Sequence, residues 1–109
     1  MAAKTPAQEL NAREHKLIAE AKRLSLGVGL PKGDPNASLV QTTTARLAKF
    51  DEERGRLKQT YADVFAAKRG SLANHILFNA RAQLRGELAS ATIDEADNTN
   101  EGLTGRGDR

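Results

Sequence analysis

The sequence predicts an all-α protein with three helices, at about residues 6–25, 36–69 and 72–91, and a disordered C-terminal tail. The long central helix makes the expected architecture a helical hairpin, coiled-coil-like in its packing. Three observations predict it. The stretch from Asn36 to Arg69 has no proline, and Leu39, Thr43, Leu47, Phe50, Arg54, Leu57, Tyr61 and Val64 recur along it at spacings of 4-4-3-4-3-4-3, close to a heptad seam. Leu10, Leu17 and Leu24 stand seven apart in the first quarter of the chain. Glycine and proline gather between these runs, where helices must stop.

The first helix has a complete start signal. Thr5 suits the N-cap, Pro6 the first helical position, and Gln8 closes a capping box. Leu10, Leu17, Ile18, Ala21 and Leu24 form its apolar stripe, and Gly27 and Gly29 end it. The segment Gly27 to Pro35 is then a loop, with Leu26, Val28 and Leu30 expected to tuck against the helices. Asp34 or Asn36 is the expected cap of the second helix. At 1.5 Å per residue that helix would be roughly 50 Å long, and helices of about 20 residues, roughly 30 Å, would leave part of its edge uncovered. The β-branched run Thr42-Thr43-Thr44 and Gly55 weaken it locally. Lys68-Arg69-Gly70-Ser71 reads as a stop followed by a new cap. A lone glycine is a modest break, so a continuous rod through Gly70 is the alternative. The third helix carries Ala73, Leu77, Ala80, Leu84 and Leu88 on one stripe, with Ile76 beside it. Residues 92–109 are rich in Asp, Asn, Thr and Gly and too poor in apolar side chains to order themselves. The expected division is a helical domain over 1–91 and a flexible acidic tail over 92–109.

Composition narrows the class. At 109 residues with 4% aromatics, the core is thin, which favours association with another surface. The absence of cysteine removes disulfides, thiolate metal sites and cysteine nucleophiles. Residues 1–91 carry a net charge of +6 and residues 92–109 a net −3, a basic body with an acidic end. The N-terminal residues lack the apolar stretch of a signal peptide, and no run approaches a membrane span. The expected location is the cytoplasm.

No residue pattern points to catalysis or a cofactor. Gly27-x-Gly29-x-x-x-Gly33 follows a helix and has the spacing of neither phosphate-binding fingerprint. His15 and His75 have no partner at metal-ligand spacing. Asp51-Glu52-Glu53 are adjacent on a helix, so their side chains diverge. Ser38, Ser71 and Tyr61 lack a suitably placed histidine. Arg106-Gly107-Asp108 matches an adhesion tripeptide by chance composition.

Two kinds of contact residue remain. Leu39, Leu47, Phe50, Leu57, Tyr61 and Val64 form the expected interaction seam, packing against the first and third helices, against a protein partner or second copy, or both. Arg46, Lys49, Arg56, Arg81 and Arg85 are the expected anion or nucleic-acid contacts, which would be salt-sensitive and sequence-independent. The short, Ala/Arg/Leu-rich, cysteine-free and tryptophan-free composition resembles small accessory or structural proteins of bacteriophages and bacterial mobile elements. That resemblance implies a part in a larger assembly, such as a virion component. The function expected is therefore non-enzymatic and exerted through protein–protein contact. A basic nucleic-acid-binding accessory protein is the second expectation, and an inhibitor or regulator of a host enzyme the third.

Overall fold

The computed structural model describes residues 5–103, and within them the chain is helical, with no strand. Four helices follow in order: α1 (Pro6–Ser25), α2 (Leu39–Thr60), α3 (Ala62–Ala66) and α4 (Ser71–Leu103). The all-α class read from the sequence is the one observed, with different boundaries in the middle and at the end.

α1 starts and stops where expected. The Thr5 hydroxyl accepts from the Gln8 amide, and the Gln8 side chain accepts from the Thr5 amide. At its end the Val28 amide reaches the Arg23 carbonyl and the Gly27 amide reaches that of Leu24. This is the Schellman closure, and Gly27 takes the left-handed φ of +88° that it requires. Gly29 is left-handed as well. These two turns direct only one loop side chain inward. Leu30 is buried, while Leu26 is 81% exposed and Val28 is exposed too, correcting the expectation that all three tuck in.

α2 begins later than expected, because Ser38 and Gln41 make a full capping box. Asp34 instead closes a turn, accepting from the Asn36 amide. α2 also ends earlier than expected. Tyr61 leaves helical geometry at φ −111°, ψ 33°, and five further residues form α3. A rod of roughly 50 Å becomes a 22-residue helix of about 33 Å. The break is stabilised from α1. Arg13 donates through Nη2 to the Thr60 carbonyl at 2.6 Å, grips Asp63 with Nε and Nη2, and lies over the Tyr61 ring. The Tyr61 hydroxyl donates to Glu20.

The continuous-rod alternative fails at Gly70. α3 ends in a second Schellman closure, with Lys68 left-handed at φ +62°. The Phe65 ring then lies directly over Gly70. α4 starts at Ser71 itself, and its first turn is closed by Asn74 bonding back to the Gly70 carbonyl. α4 does not stop at residue 91 but runs on to Leu103. No proline or glycine interrupts Thr92–Glu101, and the Thr92 hydroxyl donates to the Leu88 carbonyl one turn back. Residues 104–109, including Arg106-Gly107-Asp108, lie outside the described residues.

The helices run up, down and up, with α4 packed against both α1 and α2. Four α2–α3 positions seven apart, Thr43, Phe50, Leu57 and Val64, face inward and are buried. Phe50, Leu57 and Val64 meet Leu17, Ala21 and Leu24 from α1 and Ala73, Leu77 and Leu84 from α4 in one cluster. Burying each large side chain contributes about 1.5–3 kcal/mol. The result is a narrow body of 78 × 24 × 17 Å. No helix among the described residues is long and apolar enough to cross a membrane.

Candidate interaction surfaces

The seam expected to dock a partner is mostly occupied by the protein itself. Phe50, Leu57, Tyr61 and Val64 are buried, and Leu47 is half-buried against the core. Leu39 alone stays open, at 63% exposure. Leu57 is 1% exposed, so a charge there would act on folding rather than on an interface.

The five basic residues expected to meet an anion do not form one patch. Arg46 donates to the Pro31 carbonyl and ties the loop to α2. Lys49 pairs with Glu52. Arg56 pairs with Glu53 at 2.9 Å and approaches Glu20 across the α1–α2 groove. Arg81 makes a two-pronged pair with Asp51, at 2.7 and 3.1 Å, that joins α4 to α2. The Arg81 hydrogen bond holds the Asp51 carboxyl below the usual carboxylate range. Arg56 does the same to Glu53, and Arg13 to Asp63. Arg85 is exposed and makes no ion pair among the described residues.

Other sequence candidates are scattered. His15 and His75 are exposed on α1 and α4, and no group of three or more metal-ligating side chains gathers among the described residues. Ser38 is the α2 cap, and Tyr61 serves Glu20.

The surface that sequence reading missed is the outer side of α4. Its inward stripe is Ala73, Leu77, Leu84 and Ala91, all buried. Half a turn away stand Phe78, Ala82, Ala89 and Ile93, all exposed. Phe78 is 65% exposed and Ile93 59%. Arg85 and Gly86 lie between them on the same side, so one charge interrupts an apolar stripe. An amphipathic helix of a small globule carries one apolar stripe; α4 carries two.

No family model, curated protein or solved structure matches this chain.

The surface must therefore be read from its own chemistry. The outer stripe has a readable signal, the positions i, i+4, i+11 and i+15, but it is weak because two of its four members are alanines. A separate open groove lies where α2 begins, beside the inward stripe, lined by Leu39, Thr43, Glu87, Ser90, Ala91 and Asp94.

Proposed function

We propose that this protein is a non-enzymatic contact protein that works by helix-to-helix pairing through the outer stripe of α4, first of all with a second copy of itself. One observation carries the reading: α4 is apolar on two opposite sides, and the protein covers only one. A second copy is favoured by the spacing. Phe78, Ala82, Ala89 and Ile93 stand 4, 7 and 4 apart, which reads the same in both directions. Two antiparallel α4 helices centred between Arg85 and Gly86 set Phe78 against Ile93 and Ala82 against Ala89, twice over. Such an isologous two-fold contact is the commonest form of self-assembly. The alanines and Gly86 let the helix axes approach closely, towards the short end of the usual 8–10 Å.

The stripe from Phe78 to Ile93 is about 22 Å long. That is small for an interface, and the dimer belongs with weak, concentration-dependent ones. A role as one part of a larger assembly, a virion component among them, suits a surface of this kind. Sedimentation equilibrium across a micromolar-to-millimolar series tests it. The mass should rise from 11.8 kDa towards twice that value, and Phe78→Asp, at an exposed position, should hold it at the monomer. The two Arg85 side chains fall beside the two-fold axis and repel, so added salt should tighten the dimer by screening them. A single monomer mass throughout would overturn the proposal.

A further inference from the structure

We propose that the cleft between α2 and α4 at Arg54, Lys58 and Arg81 is a binding site for a phosphate-class oxyanion, an inference independent of the pairing surface. Arg54 occupies a seam position of α2, between buried Phe50 and Leu57. Its Nε is closed off from water and has no hydrogen-bond partner. None of the ion pairs among the described residues uses it. That leaves a partly buried guanidinium without an ion pair, which is costly, and an anion in the adjoining cleft offsets its charge without reaching Nε itself.

The surroundings suit an anion. The cleft is lined by Asp51, Arg54, Gly55, Lys58 and Arg81 and holds about 250 Å³. Lys58, one turn beyond Arg54, is exposed and has no carboxylate at ion-pair distance among the described residues. Arg81 commits Nε and Nη2 to Asp51, so the one carboxylate in the cleft is already neutralised. The site therefore holds two uncompensated positive charges, matching a phosphate dianion better than a single carboxylate. The planar guanidinium fork suits its oxygens. Gly55 completes the floor. A side chain there would meet nothing within 4 Å, so packing within the protein does not call for glycine in mid-helix. Its absence of a side chain leaves the backbone open to a ligand.

Thermal unfolding of the full chain in sodium phosphate, against sodium chloride at matched ionic strength and pH, tests the site. Phosphate should raise the midpoint beyond chloride. Arg54→Leu should raise the midpoint without phosphate, by removing the stranded donor, and should abolish the phosphate response. Lys58→Gln, at an exposed position, should keep the fold and weaken apparent phosphate affinity on the order of tenfold. Phe78→Asp should leave the response intact, which separates this site from the pairing face. No phosphate-specific rise in the parent protein, or a response that survives both Arg54→Leu and Lys58→Gln, would overturn the site. A short DNA duplex then identifies the source of the phosphate. Duplex binding lost in the same two variants assigns it to a nucleic-acid backbone. A phosphate response without duplex binding assigns it to a small phosphorylated ligand.

Discussion

A methyl group on Gly70 would sit 2.2 Å from the Phe65 ring, closer than real side chains come. The turn between α3 and α4 therefore depends on a missing side chain rather than on a formed contact. Gly70→Ala should destabilise the fold by about 2 kcal/mol, since the ring must shift within a packed site; urea unfolding measures it. Gly86, where an added Cβ would meet nothing within 4 Å, should tolerate the same change without that penalty. Arg13 works in the opposite way, through what it touches. It satisfies a carbonyl that the end of α2 leaves free, neutralises Asp63 and faces Tyr61. The sequence gives no hint of this, because Arg13 and Thr60 are 47 residues apart and Arg13 looks like any cation on a solvated helix face.

At the level of elements, the two Schellman closures make a natural comparison. Both have the same pair of backbone hydrogen bonds, but Gly27 fills the left-handed position after α1 and Lys68 the one after α3. A residue with a Cβ pays a steric cost there that glycine escapes. Lys68→Gly should stabilise the protein by about 0.5–1 kcal/mol, read as a higher urea midpoint at unchanged m-value. The same comparison explains which elements were legible in advance. α1 is legible at both ends because its signals, Thr5-Pro6-x-Gln8 and Gly27, are local. The buried seam positions Phe50, Leu57 and Val64 were legible because periodicity survives the break at Tyr61. The break itself was not, since it is made by Arg13 and Glu20 from another helix. The outer stripe of α4 is hard to see in the sequence for a different reason: beside the inward leucines, alanines at 82 and 89 look like part of a solvated face. Arg54 was visible as a charge on an apolar seam, but only packing shows that its Nε lacks a partner.

For the molecule as a whole, three carboxylates fix its response to acid. Asp51, Glu53 and Asp63 are each held below the usual range by hydrogen bonds from an arginine. A folded-state pKa below the unfolded one gives stability that is full above the ordinary values of 3.8 and 4.5, and that is lost as pH falls through the lowered ones. Thermal midpoints should stay level from pH 7 to 5 and fall below about pH 4.5. Asp51→Asn should make that fall shallower, because Asp51–Arg81 ties α2 to α4. All three pairs are partly exposed, so the effect should shrink in high salt. The order of the helices has one more consequence. α4 packs on both α1 and α2, yet it is synthesised after both. Until Ala73, Leu77 and Leu84 have left the ribosome, the cluster of Leu17, Phe50 and Leu57 is incomplete. A nascent chain that ends short of α4 therefore carries its greasy interior open to the cell, a state prone to aggregation.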